Sequence, residues 1–274
     1  MTPSDWSGPI GDVWAAEWRR TDRSFAGLAP HLDAAIRSSG PAATILDIGC
    51  GAGATSIATA DARPTARIVG IDLSPGLVAI ARDRAAGRRN LVFAAADVVA
   101  AAADHRPDLY VSRHGVMFFD DPVAAFGRLR EAAAPDARLV FSCFAERAAN
   151  LWAVESAGAM GADGTARAAT TPGPFAFADP ARVAAILAGA GWHYAAPTRV
   201  DFAYRAGEGA DPVADAVEYF MRIGPAASLL RDTPSQDRPA RLANLKAVCA
   251  RYRSGDVVEF PASAWIWSAH APAA

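Results

Sequence analysis

The chain has 274 residues, 52% of them hydrophobic and 20% charged, with a formal net charge of −2. That balance excludes intrinsic disorder, and no apolar run reaches the roughly 18 residues of a spanning helix, so no membrane span is expected. The absence of a basic tract argues against a nucleic-acid partner, and Cys50, Cys143 and Cys249 are too far apart for a disulfide framework or a zinc site.

Met1–Ile10 carries acid, Pro and Gly where a secretory signal would be basic and then apolar, so a cytoplasmic protein is expected. Lys246 is the only lysine and falls in a segment that reads as helix, which leaves little for Schiff-base or Walker-type chemistry. A helical extension is expected over about 1–40. Trp14 and Trp18 lie four apart there, on one helical face, a spacing that predicts core packing.

From residue 43 onward, short apolar runs alternate with helical patterns. The runs are Ala43–Ile48, Arg67–Ile71, Asn90–Ala94, Asp108–Ser112 and Ala137–Cys143. Brief, nearly continuous runs of this kind suit parallel strands covered on both faces. Ser74-Pro75 and Asp121-Pro122 each set a capping side chain before a proline whose missing N–H costs nothing at a first helical position. Asp179-Pro180 and Asp211-Pro212 repeat the signal, and Asp136 can hold the turn after Pro135.

His193–Tyr204 and Ser263–His270 read as two further strands. The expected fold is therefore α/β, a doubly wound, mostly parallel seven-stranded sheet in a single domain over 1–274. Two insertions, about 145–178 and 206–255, are expected to form a helical lid. They offer Trp152, Met160, Phe175 and Phe177, and then Tyr219, Phe220 and Met221.

Asp47-Ile48-Gly49-Cys50-Gly51-Ala52-Gly53 follows the first strand and opens a helix. Glycines there permit a tight turn and close approach of a ligand to the backbone, and the helix N-terminus offers unpaired N–H groups. Gly49, Gly51 and Ala54 also fit the dinucleotide pattern G-x-G-x-x-A loosely. Asp47 separates the two readings: a carboxylate beside a pyrophosphate is repelled, whereas beside a ligand ammonium it is welcome.

Asp47–Gly53 resembles the first motif of class I S-adenosylmethionine-dependent methyltransferases, in the small-molecule group related to quinone-biosynthesis C-methyltransferases. The resemblance implies a Rossmann-like methyltransferase fold with S-adenosylmethionine as cofactor. It implies that Gly49, Cys50, Gly51 and Gly53 approach the cofactor, that Asp72 bonds the ribose hydroxyls and that Asp97 bonds the adenine amine. Leu73 and Val98 would then contact the adenine faces. Asp97 can also cap a short helix over Val98–Ala103.

After the fourth strand, the resemblance implies a backbone carbonyl near Arg113 accepting from the cofactor ammonium. The next place, often aromatic in the family, is His114, which reads either as a general base or as a shape-filling wall. In the leader, Arg23 is the candidate partner of the cofactor carboxylate, with a surface pair to Asp22 as the alternative.

The expected activity is methyl transfer by in-line displacement to an O or C atom of a small, apolar or aromatic acceptor, with no metal. The competing readings are an NAD-dependent oxidoreductase and a non-catalytic cofactor-binding regulator.

Overall fold

The computed structural model describes residues 6–162 and 172–272; residues 1–5 of the leader and 163–171 of the first expected lid lie outside the described residues. Among the described residues, three leader helices come first, α1 (Pro9–Ala16), α2 (Trp18–Ser24) and α3 (Ala29–Ser38). Alternation then begins: β1 (Thr44–Ile48), α4 (Ala54–Ala62), β2 (Arg67–Asp72), α5 (Pro75–Arg84), β3 (Leu91–Ala95), α6 (Val98–Ala101), β4 (Leu109–Arg113), α7 (Pro122–Ala132) and β5 (Arg138–Phe144). All five strands fall within a residue of their expected positions.

The capping signals act as their chemistry requires. Leu77 N donates to Ser74 Oγ (3.2 Å), Ala124 N to Asp121 Oδ1 (3.0 Å), Ala181 N to Asp179 Oδ1 (2.9 Å) and Ala214 N to Asp211 Oδ1 (3.0 Å). Each supplies one partner to the orphan donors of a helix start. Asp136 holds its turn in the left-handed region, φ 57°.

The five strands are parallel, in the order β3-β2-β1-β4-β5. β1, β4 and β5 are buried almost throughout, because helices cover both faces, whereas edge strand β3 alternates and exposes Val92. The C-terminal half adds α8 (Leu151–Ala159), α9 (Pro180–Gly189), β6 (His193–Tyr194), β7 (Thr198–Glu208), α10 (Pro212–Arg222), α11 (Pro225–Asp232), α12 (Arg238–Arg251), β8 (Arg253–Ser254) and β9 (Val257–His270).

The long β9 pairs antiparallel to β5 on one side and to β6 and β7 on the other. β6 and β7 therefore act as one sheet position, broken at 195–197, where Pro197 has no N–H for the ladder. β8 is a two-residue return onto the start of β9. Counted by sheet position, the seven-stranded expectation holds.

The sixth and seventh strands are longer than expected. Phe144, the carboxyl end of β5, pairs with Ala264, so residues 257–263 of β9 and 201–208 of β7 continue beyond the sheet as a two-stranded ribbon. The segment from 206 is thus strand up to Glu208 before it becomes helical. Helices α8, α10, α11 and α12 pack on one another, and α10 packs against β7, forming a cap at the carboxyl edge of the sheet.

Candidate cofactor and acceptor crevice

Ligands of open α/β sheets bind outside the carboxyl ends of the strands, and the crevice lies there. It encloses about 420 Å³ between the ends of β1, β2 and β4, the leader and the cap. Asp47, Gly49, Cys50, Gly51, Asp72, Leu73, Asp97, Val98, Arg113 and His114 all line it.

The loop after β1 is shaped by left-handed glycines, Gly49 (φ 63°), Gly51 (φ 54°) and Gly53 (φ 83°). A Cβ on Gly49 would meet Gly115 Cα at 3.1 Å, whereas one on Gly51 would meet nothing within 4 Å. Gly53 lies apart from these two. It stands behind the loop as the residue before α4, where a Cβ would strike Phe93 Cζ at 2.8 Å. Its glycine is a packing requirement, and it is not among the residues that line the crevice.

Asp72 braces this loop, accepting from Gly51 N (2.9 Å) and Ser74 N (2.9 Å). Asp97 caps α6 by accepting from Val99 N (2.8 Å) and is exposed at the crevice edge. Asp47 is buried; Oδ2 accepts from Ser56 Oγ (2.5 Å) and Oδ1 has no partner. Burial pushes its carboxyl up to about 7 against the bond from Ser56 and the field of Arg113.

The leader roofs the crevice. Trp6, Trp14, Trp18, Thr21, Asp22 and Phe25 line it, and Trp6 packs edge-on against Phe118 with 5.0 Å between ring centroids. The tryptophans do more than the core packing expected of them. Glu17 separates α1 from α2, so Trp14 and Trp18 sit on different helices, and both are half-buried at the crevice wall.

Arg23, the expected partner of a ligand carboxylate, is not among the residues that line the crevice. The β7 ladder is irregular between Arg205 and Gly207, and Arg23 takes the carbonyls at that point: Nη2 donates to Ala206 O (2.5 Å) and Nε to Arg205 O (3.4 Å). Asp215 pairs with its Nη1 at 2.6 Å. Its planar fork is spent on docking α2 to the ribbon. Asp22 does not pair with Arg23; it contacts Arg113 at 2.6 Å and Arg84 at 2.8 Å.

The far end of the crevice is aromatic. Phe25, Phe144, Trp152, Tyr204 and Tyr219 line it, with Ile223 and Gly224. Trp152 and Tyr204 stack at 4.7 Å, and the Tyr204 and Tyr219 hydroxyls lie 3.2 Å apart. Of the aromatic residues the two insertions offered, Trp152 and Tyr219 face the crevice. Phe177 and Phe220 are core, Phe175 stacks behind Trp152, and of the insertions' two methionines Met160 is buried in the core and Met221 is exposed. Nothing in the local pattern marks Phe25, Phe144 or Tyr204 as facing a crevice: Phe25 follows Asp22-Arg23-Ser24, Phe144 ends an apolar run and Tyr204 precedes Arg205; Asp22 drew attention only as a neighbour of Arg23.

His114 stands between the two ends. Its backbone is left-handed (φ 63°), and its ring lies between Phe25 and Phe144 at centroid distances of 4.7 and 4.3 Å. Nδ1 is 2.9 Å from Ser142 Oγ, and Nε2 has no partner. Burial, with a smaller contribution from Arg113, pushes it down to about 3. It is a neutral ring at ordinary pH, which favours the wall reading over the general base.

The sheet order and the Gly-rich turn at the β1 carboxyl end define a Rossmann-like nucleotide-binding fold. Residues 45–136 match the model of the methyltransferase domain family, about a third of the chain.

It is 36% identical over 100 residues to a malonyl-[acyl-carrier protein] O-methyltransferase of Acetivibrio thermocellus, covering 36% of this chain and 35% of the relative. It is 35% identical over 95 residues to a trans-aconitate 2-methyltransferase of Variovorax paradoxus, covering 34% and 36%. The chain thus aligns with about a third of the length of these relatives. Phosphoethanolamine N-methyltransferase 2 of Haemonchus contortus, solved in complex with S-adenosyl-L-methionine, shares the fold at a TM-score of 0.52 and 16% identity, over 99% of this chain and 60% of that one. No helix among the described residues is long and apolar enough to cross a membrane, and none of their His, Cys, Asp and Glu side chains form a metal-binding group.

Proposed function

We propose that the protein transfers a methyl group from S-adenosylmethionine to an O or C atom of a small, flat, largely apolar acceptor. The observation that carries this reading is one continuous crevice with two chemically different ends. One is a glycine turn set among acids, and the other is an aromatic chamber. At the first end, the residues fit the cofactor. Asp47 has an unpartnered buried oxygen for a ligand cation, and Gly51 leaves open space where a side chain would project. Asp72 lines the crevice at the β2 end, where it would meet a ribose, and Asp97, Leu73 and Val98 line it further on, where they would meet an adenine. The bound cofactor supplies a methyl group on a positively charged sulfur, already activated for displacement.

The chain's own contribution is alignment and exclusion of water. Holding two reactants in line is worth roughly 7–11 kcal/mol. The leader tryptophans cover one end, and Phe25, Phe144 and Trp152 wall the other. A base is needed only where the acceptor must lose its proton in the slow step. His114, held neutral, orients an acceptor or fills space. The two curated relatives are named for acyl-carrier-protein-bound malonyl and trans-aconitate acceptors. The aromatic chamber favours a ring over such acids. The three buried free cysteines agree with a reducing, cytoplasmic setting.

Labelled methyl transfer measured across phenols, quinones, carboxylic acids and amines tests the proposal. Turnover of phenols or quinones supports it, and labelling confined to RNA, protein or carboxylic acids overturns it.

A further inference from the structure

Among the described residues, the crevice lining contains two side-chain cations, Arg113 and Arg128. Arg113 leaves the β4 end beside the glycine turn, because Asp47 pairs with Val111 across β1 and β4. Asp47 and Arg113 thus set one negative and one positive group at neighbouring strand ends, a charge pattern complementary to a zwitterion. Arg113 is not free to solvent. Its Nη2 donates to Asp22 Oδ1 at 2.6 Å, and its guanidinium stands 5.3 Å from the Phe25 ring centre.

Asp22 comes from the leader and is itself held between two cations. Arg84 Nη1 lies 2.8 Å from Asp22 Oδ2, in ion-pair contact but without the alignment of a hydrogen bond. The same Nη1 donates to Ala52 O in the glycine loop (2.6 Å), and Arg84 is seated 4.2 Å from the Trp18 ring centre. Asp22 therefore has a second cation to turn to when it leaves the first. A carboxylate on a strand-end arginine in a ligand crevice stands where a ligand carboxylate would stand.

We propose that the Arg113 side chain receives the carboxylate of the cofactor's amino-acid end, and that Asp22 is a built-in counter-ion which competes for Arg113. This rests on the S-adenosylmethionine reading above. The counter-ion keeps Arg113 aimed and charge-balanced, and it lowers affinity for cofactor and demethylated product alike. It thereby speeds product departure, a step that limits many enzymes. Arg23, committed to the ribbon, takes no part.

The test compares two ligands by calorimetry, S-adenosylhomocysteine and 5′-methylthioadenosine, which keeps the nucleoside thioether and lacks the amino-acid end. Arg113→Ala is expected to weaken S-adenosylhomocysteine about 10- to 100-fold, the span of a charged hydrogen-bonded contact, and 5′-methylthioadenosine less than about twofold. Arg113→Lys, which keeps the charge without the fork, falls between. Asp22→Asn is expected to tighten S-adenosylhomocysteine about three- to tenfold, with 5′-methylthioadenosine unchanged and a shallower salt dependence.

Retained 5′-methylthioadenosine binding certifies that each variant is folded. Equal losses for both ligands in Arg113→Ala, or unchanged or weaker S-adenosylhomocysteine binding in Asp22→Asn, overturns the inference. If neither ligand binds the unaltered protein, the cofactor reading fails instead.

Discussion

Asp47 is the most informative residue to perturb, because the structure makes it costly. Its carboxyl is fully enclosed, accepts from Ser56 Oγ, and is pushed by burial from 3.8 to about 7. A carboxyl whose folded value is raised keeps its proton longer in the folded state than in the unfolded one. Stability is therefore highest below the unfolded value, falls as pH rises between 3.8 and about 7, and levels off above. At about 1.4 kcal/mol per unit the whole fall is about 4 kcal/mol, of which about 3 kcal/mol lies between pH 5 and pH 8.

Asp47→Asn keeps the shape, keeps an oxygen for Ser56 and removes the titration. Its stability relative to the unaltered protein is expected to rise by about 3 kcal/mol from pH 5 to pH 8, in the ligand-free state. At about 2 °C per kcal/mol, the low end for large domains, the Tm gap widens by about 6 °C. Differential scanning calorimetry at several pH values reads this directly. Comparing the slopes with pH cancels any fixed cost of placing an amide there. The same variant is expected to lose cofactor affinity, a stability gain traded against function. A gap that stays flat with pH would refute the reasoning, since it would mean that Asp47 ionises without penalty.

The two ends of the glycine turn give a contrasting pair. Gly51→Ala adds only left-handed strain of about 1–2 kcal/mol, because its Cβ meets nothing, and is expected to weaken ligand binding by intruding on the crevice. Gly53→Ala must also displace Phe93, so it is expected to cost about 2–4 kcal/mol of stability in urea titration, with ligand affinity per folded molecule little changed. His114, pushed down to about 3, stays neutral across ordinary pH, so the kcat ratio of the unaltered protein to His114→Gln is expected to be constant from about pH 5.5 to pH 8. A ratio that falls as pH drops through 6.5 would make His114 a base.

The parallel sheet was legible in the sequence because strands buried on both faces write continuous apolar runs, and proline-backed caps mark where α5, α7, α9 and α10 begin. The acids at the strand ends were legible for a related reason: a carboxylate closing an apolar run is conspicuous. The ribbon was not. Residues 257–263 and 201–208 pair with each other beyond the sheet, and only the register across β5 and β9 reveals how far they extend. The contacts of Arg23 were hidden for want of the same information, since the irregular backbone it bonds begins 182 residues further along the chain. Trp14 and Trp18 kept helical spacing across a helix boundary at Glu17, which spacing cannot detect. Asp22 became visible as a charge partner only when the leader folded across the strand ends.

The account stands on the acids around the glycine turn holding a nucleoside, and Asp72 tests this most directly because it both braces Gly51 and faces the crevice. Calorimetric titration of S-adenosylhomocysteine into the unaltered protein and into Asp72→Asn is the measurement. One-to-one binding to the first, weakened at least tenfold in the second while its Tm stays within a few degrees, is the predicted result. Absence of heat with the unaltered protein, or equal affinity in both, would contradict it.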